Sequence, residues 1–125
     1  MKKKIVLIEG VYDTIDLFTR EIKKALEQMG CECLVLDAGH MEESLKEFAL
    51  FAMTPVFAAI TFNNLGYNLE LSEGKNIWEQ FEIPYVNILM DHPFHYTGPL
   101  AHMPKTAWVF CTDKNHVDFM HRFYP

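Results

Sequence analysis

The sequence has few basic residues, few cysteines and no long apolar run, and each shortage excludes a class of protein. Lys and Arg number 11 against 17 Asp and Glu, a net charge of −6, whereas a nucleic-acid-binding surface needs an excess of basic residues. Three cysteines are too few for a disulfide scaffold, so we expect buried, reduced thiols. No segment approaches the roughly 20 apolar residues of a membrane span. The apolar run at 5–8 is too short for a signal peptide, which predicts a cytoplasmic protein.

The chain has the length and composition of one ordinary globular domain. It contains 125 residues, of which 50% are hydrophobic and 22% are charged. A chain of this size buries enough surface to fold without disulfides or metals. We therefore predict a single domain that spans 1–125.

Apolar runs alternate with segments of helical spacing along the whole chain. The runs predict five strands, at 4–9, 32–37, 56–62, 84–90 and 106–111. Helices are predicted after Asp13 and up to Gly30, around 45–52, after Ser72 as a cap, and from Lys114. Strands that alternate with helices favour right-handed crossovers and a parallel sheet. The predicted fold is an α/β, three-layer, Rossmann-like open sheet of five strands in the order 3-2-1-4-5.

One connection departs from this alternation. The segment 91–105 holds three prolines and three histidines between the fourth and fifth predicted strands. It is too rich in proline for an ordinary crossover helix, and long loops in small domains are more often functional than not. We therefore expect an irregular functional loop.

Phosphate-binding signatures are missing, which argues against a dinucleotide or nucleoside-triphosphate cofactor. Only Gly10 follows the first predicted strand, where G-x-G-x-x-G would place three glycines. A single glycine there is also explained by a strand-to-helix turn. No Cys-x-x-Cys or His-Glu-x-x-His pattern occurs, so we predict neither a metal nor a cofactor.

Ligands of open parallel sheets bind beyond the carboxyl ends of the strands, near the point where the strand order reverses. With the order 3-2-1-4-5, the Gly10 turn faces the segment Asp91–His95 across that point. Within D-H-P-F-H-Y, His92 and His95 suit a hydroxyl-activating base, and aromatic rings suit stacking on a sugar. The predicted substrate-binding residues are Gly10, Tyr12, Asn63, Asp91, Tyr96, Asp113, Asn115 and His116.

Structural explanations for these clusters stay open beside the functional ones. Asp91 can cap backbone groups while the histidines form hydrogen bonds within a buried loop. Asp113 is a natural cap for the last predicted helix, and that explanation needs no ligand.

Three segments carry a resemblance to a known family: I-L-M-D-H-P-F-H-Y at 88–96, V-F-C-T-D-K-N-H at 109–116 and R-F-Y-P at 122–125. The sequence resembles an uncharacterised bacterial domain family found at the N-terminus of glycosyltransferase-like proteins, including CgeB-like spore-maturation proteins. The resemblance covers the whole chain and is strongest from 87 to 125. The positions that match its motifs are Asp91, His92, His95, Asp113, Asn115 and His116.

The resemblance implies the acceptor-side, N-terminal half of a GT-B-type transferase. In such enzymes a C-terminal domain, which this sequence does not contain, binds the sugar nucleotide. The expected partners are that domain and a carbohydrate-type acceptor, and the chain alone is expected to be inactive. Two alternatives remain, a stand-alone sugar- or nucleotide-binding module and a non-catalytic interaction domain.

Overall fold

A computed structural model describes residues 3–10, 13–72, 74–90, 93–111 and 113–123. The chain forms two compact units, Met1–Ile60 and Thr61–Pro125. The boundary falls inside one strand, after Ile60, and each unit is described below by its own elements.

The first unit alternates strands and helices as the sequence predicts. Its elements are β1 (Lys4–Glu9), α1 (Asp13–Gln28), β2 (Glu32–Asp37), a 3-10 turn (Ala38–His40), α2 (Met41–Phe51) and the first part of β3 (Ala58–Phe62). The core of this unit is built on β1, where Ile5, Val6, Leu7 and Ile8 are all buried. A strand buried on both faces explains why this run is continuously apolar.

The second unit contains the rest of the sheet and a small hairpin. Its elements after β3 are β4 (Glu70–Ser72), β5 (Lys75–Asn76), α3 (Ile77–Gln80), β6 (Tyr85–Leu89), a 3-10 turn (Pro93–Tyr96), α4 (Thr97–Ala101), β7 (Ala107–Cys111) and α5 (Lys114–Phe123). Trp78 and Tyr85 are fully buried here, with ring centroids 5.5 Å apart.

The five main strands form one parallel sheet flanked by helices, which confirms the predicted α/β, Rossmann-like open sheet. The observed order is β2-β1-β3-β6-β7, or 2-1-3-4-5 in the numbering of the predicted strands. The predicted order 3-2-1-4-5 is therefore wrong. Ile5 pairs with Ala58 and Val6 with Ala59, so β3 lies directly beside β1. The strand order reverses between β1 and β3, and β1 and β6 are not neighbours.

Helix ends account for several local features. At the end of α1, Gly30 has a φ of 92°, and the N–H of Cys31 donates to the Leu26 carbonyl at 2.9 Å. This arrangement is the usual glycine-dependent helix end, and it confirms the predicted stop. The same motif ends α3, where Ile83 N–H donates to the Trp78 carbonyl, but Glu82 holds the left-handed position at φ 53°.

Three details of the structure differ from the sequence predictions. The predicted cap Ser72 lies instead at the end of strand β4, and Asn76 caps α3 through its side-chain oxygen. The segment 91–105 is not wholly irregular, because it contains a 3-10 turn and the five-residue helix α4. Cys31, Cys33 and Cys111 are free thiols, but they are partly exposed rather than fully buried. Among the described helices, none has the length and apolar character to cross a membrane.

Candidate functional site

A pair of buried asparagines connects the end of β3 to the middle of β6 in the second unit. Asn87 is fully buried inside β6, and Asn64, which is 5% exposed, follows β3. The Asn87 Oδ1 accepts from the Asn64 backbone N–H at 2.9 Å, and the Asn87 Nδ2 donates to the Asn64 Oδ1 at 2.7 Å. Buried amides need such partners, because leaving a buried polar group unpaired costs more free energy of folding than one hydrogen bond contributes. The pair fixes the backbone where β3 ends.

Asn63 lies next to this pair and holds the end of β6. Both Asn63 and Asn64 have left-handed backbones, with φ of 48° and 68°, a conformation that asparagine tolerates better than most residues. The Asn63 Oδ1 accepts from the Met90 N–H at 2.8 Å, and the Asn63 N–H donates to the Ile88 carbonyl at 3.0 Å. The side-chain oxygen of Asn63 is therefore already hydrogen-bonded. Within the described part of the chain no partner is found for its Nδ2, which leaves a donor at the strand end.

The 3-10 turn after β6 carries two of the predicted site residues. His95 is exposed and Tyr96 is half-buried, with ring centroids 6.5 Å apart and the planes at 74°. The turn lies in contact with α5. The structure therefore brings the His95–Tyr96 turn and the helix that contains Asn115 and His116 together.

The start of α5 shows capping, as the structural explanation anticipated. The Asp113 Oδ1 accepts from the Asn115 N–H at 2.7 Å, and the Asp113 carbonyl accepts from the His116 N–H at 3.1 Å. Both groups satisfy backbone donors of the first helical turn. The exposed Asn115 side chain lines a cavity of about 250 Å³ along α5, together with Asp118, Phe119, Arg122 and Phe123. His116 is half-buried.

Comparison with protein-family models, with curated proteins and with solved structures found no match to this chain. A function of this chain is therefore inferred from the chemistry of its own residues.

Gly10 belongs to the first unit, where it is exposed and lies beside two carboxylates. Its N–H donates to the Asp16 Oδ1 at 2.9 Å. A Cβ at Gly10 would lie 2.4 Å from the Asp37 Oδ1 and 2.9 Å from the Ala38 backbone nitrogen, and its φ is 105°. Close packing and backbone conformation therefore require glycine here. That Gly10 also contacts a ligand stays a prediction.

Asp37 is the carboxylate that lies against Gly10. Its Oδ1 accepts from the Gly39 N–H at 2.8 Å, and its Oδ2 lies 3.2 Å from the His40 Nδ1. The backbone hydrogen bond from Gly39, followed by that from His40, lowers the pKa of Asp37. Nearby, Arg20 forms an ion pair with Glu9 at 3.6 Å. The carboxylates here give the end of β1 a local environment that disfavours a phosphate group.

The predicted site residues thus fall into three groups. Asn63, Tyr96, Asp113, Asn115, His116 and the predicted base His95 lie in the second unit, whereas Gly10 lies in the first. Tyr12, Asp91 and the predicted base His92 lie outside the described residues. Across the described ranges there is no group of three or more His, Cys, Asp or Glu side chains placed to hold a metal ion.

Sequence reasoning missed the roles of Asn64 and Asn87. A usable signal was present, because Asn87 interrupts the apolar run 84–90, and a polar residue inside a buried strand must find a hydrogen-bond partner.

Proposed function

We propose that this chain is the acceptor-side domain of a glycosyltransferase-like protein and that its second unit binds a hydroxyl-rich, carbohydrate-type acceptor. The supporting observation is that amide, imidazole and phenol side chains follow β3 and β6 and lie at the start of α5. Asn63 offers an amide donor, the adjoining turn offers His95 and Tyr96, and α5 offers the Asn115 amide. Amide, imidazole and phenol groups pair with sugar hydroxyls in both donor and acceptor roles.

His95 is the residue to which we assign proton transfer. An exposed imidazole in the turn after β6 can accept the proton of an acceptor hydroxyl, and histidine is the side chain most often used for this step. Tyr96, whose ring lies edge-on to His95, supplies a flat surface against which a sugar ring can pack.

The environment of Gly10 supports assigning the nucleotide to another domain. The Gly10 N–H is already bonded to Asp16, and Asp37 lies against the glycine. An anionic sugar nucleotide would meet two carboxylates there. In the proposed enzyme a C-terminal domain binds the donor, the reaction takes place in the cytoplasm, and the present chain alone is inactive.

Saccharide titration of the ¹⁵N-labelled chain tests this proposal. The probes are glucose, N-acetylglucosamine and maltose, with UMP as a separate arm for the nucleotide-binding alternative. We expect a saccharide to shift the backbone amides of Asn63, His95, Tyr96 and Asn115. His95→Ala should weaken that binding about tenfold, whereas His121→Ala, which removes another exposed histidine, should leave it unchanged.

Two results would contradict the proposal. One is the absence of shifts with all three saccharides at millimolar concentration. The other is binding that His95→Ala and His121→Ala reduce equally while both variants keep the dispersed spectrum of a folded chain. Shifts with UMP alone would favour the nucleotide-binding module.

A further inference from the structure

The strand β7 is an unprotected edge of the sheet. It pairs with β6 on one side, and no described strand pairs with its other side. None of its residues is fully buried, and Trp108 and Phe110 are 63% and 53% exposed. Exposed apolar edge strands are uncommon because they template pairing with another chain.

The backbone N–H and C=O groups that point away from β6 determine how this edge can pair with another strand. The Thr106 carbonyl accepts from the Tyr85 N–H at 3.1 Å, so alternate residues starting at Thr106 direct their backbone groups toward β6. Val109 and Cys111 therefore direct N–H and C=O groups outward. The Ala107 N–H is engaged by the Pro104 carbonyl at 3.0 Å, whereas its carbonyl also points outward.

We infer that β7 pairs with β7 of a second copy of this chain, antiparallel and centred on Val109. In that register Val109 faces Val109 of the other copy, and the two residues exchange two backbone hydrogen bonds. Ala107 faces Cys111. The two sheets then form one continuous sheet about a two-fold axis, the usual symmetry of a homodimer.

The same register pairs the exposed aromatic residues. Trp108 of each copy lies opposite Phe110 of the other, in non-hydrogen-bonded positions where opposed side chains approach most closely. All four rings lie on one face of the continuous sheet. Pairing covers part of each ring with its cross-strand neighbour, and aromatic cross-strand pairs are among those that stabilise sheets most.

Charge complementarity selects this partner and this register. Lys105 and Asp113 flank the strand, and both are exposed. Since each lies four residues from Val109, antiparallel pairing brings the Lys105 end of one strand close to the Asp113 end of the other, twice. The strand between them has no charged residue, so nothing in it repels its own copy.

The other edge of the sheet shows the opposite pattern. β2 begins at Glu32 and ends at Asp37, so antiparallel self-pairing would bring a carboxylate of one copy close to a carboxylate of the other at each end. Like charges across a strand pair destabilise it. The charges of β2 protect it from self-association, whereas those of β7 favour it.

Sedimentation velocity over a concentration series measures the association. We expect a monomer–dimer equilibrium in the micromolar range, as suits an interface of two strands and four rings. Trp108→Lys combined with Phe110→Lys should abolish the dimer, and both substituted positions are exposed enough for the chain to remain folded. A chain that stays monomeric at every concentration would overturn the proposal, as would a dimer that survives this double substitution.

A charge reversal tests the register. Lys105→Glu brings two carboxylates close to one another at each end and should weaken dimerisation about tenfold at low salt. Adding Asp113→Asn, which keeps a capping side chain, should restore part of the loss. Lys75→Glu makes the same charge change at an exposed position outside the strand and should have no effect. Equal effects of Lys105→Glu and Lys75→Glu would rule out the register.

Zero-length cross-linking gives an independent readout. A mixture of ¹⁴N- and ¹⁵N-labelled chains is treated with a carbodiimide, and the peptides are analysed by mass. We expect a mixed-label cross-link between Lys105 and Asp113. A dimer whose cross-links join other segments would show association through a different surface and would overturn the assignment. None of these measurements depends on saccharide binding.

Discussion

Replacement of Asn87 by alanine is the most direct test of the asparagine pair that organises the second unit. The change leaves the Asn64 N–H and the Asn64 Oδ1 without partners in a buried position. An unsatisfied buried polar group costs about 1–3 kcal/mol, so the two together should lower the free energy of unfolding by about 2–6 kcal/mol. That is a large share of the stability of an ordinary domain.

Urea unfolding followed by Trp fluorescence is a suitable assay, since Trp78 is buried and lies 5.5 Å from Tyr85 at the start of β6. With slopes of about 1–3 kcal/mol per molar urea, the urea concentration at the unfolding midpoint should fall by roughly 1 M or more. Asn68→Ala is the matched control, because Asn68 is exposed and surface substitutions change stability by no more than about 0.5 kcal/mol.

A double-mutant cycle separates the pair from the general cost of a core substitution. Asn64→Gly removes the partner amide without adding strain at a φ of 68°. Once that amide is gone, Asn87→Ala should cost at least about 1 kcal/mol less than in the wild-type chain. Additivity within about 0.5 kcal/mol, or an Asn87→Ala variant as stable as Asn68→Ala, would refute the reasoning.

Three further predictions concern single residues. Gly10→Ala should destabilise the chain more than Gly30→Ala in urea unfolding, because both glycines have a positive φ but only Gly10 has atoms in the space of a Cβ; equal losses would contradict this account. Burial raises the pKa of Tyr85 well above its usual value, so its phenol stays neutral in the fold while the unfolded chain ionises, and stability should fall as the pH rises above about 10. Tyr85→Phe should show a smaller alkaline loss but lose about 1 kcal/mol at neutral pH, since the 2.6 Å bond to the Leu65 carbonyl is gone; identical alkaline profiles would oppose it. Burial raises the pKa of the Cys33 and Cys111 thiols, so iodoacetamide at pH 8 should modify them more slowly than free cysteine, and equal rates by mass spectrometry would argue against it.

The fold class was predictable because the local signals agree with one another. The run at 4–9 is continuously apolar, as a doubly covered strand requires. The strand order was not predictable, because 3-2-1-4-5 and 2-1-3-4-5 both satisfy right-handed crossovers. Only the direct pairing of Ala58 with Ile5 distinguishes them, and that pairing has no local signature.

The candidate site was predictable in its location but not in its internal contacts. Strand ends follow from the apolar runs, which is why Asn63 and the turn around His95 were identified. Asn87 is conspicuous as a polar residue in an apolar run, but its pairing has no local signature, because Asn64 lies 23 residues away in the sequence. The hairpin of β4 and β5 was missed because so short a pair leaves little periodicity, and the polar residues near Ser72 also suit a helix cap.

Glu82 shows that this sequence is not optimised for stability. It occupies the left-handed position after α3, where glycine has no steric penalty, and its side chain is exposed. Glu82→Gly should therefore raise the melting temperature by a few degrees, on the order of 1 kcal/mol. Natural proteins retain such positions because selection acts only when stability falls below what function needs. The turn between α3 and β6 is thus a place to add stability before the more demanding substitutions in the site are tested.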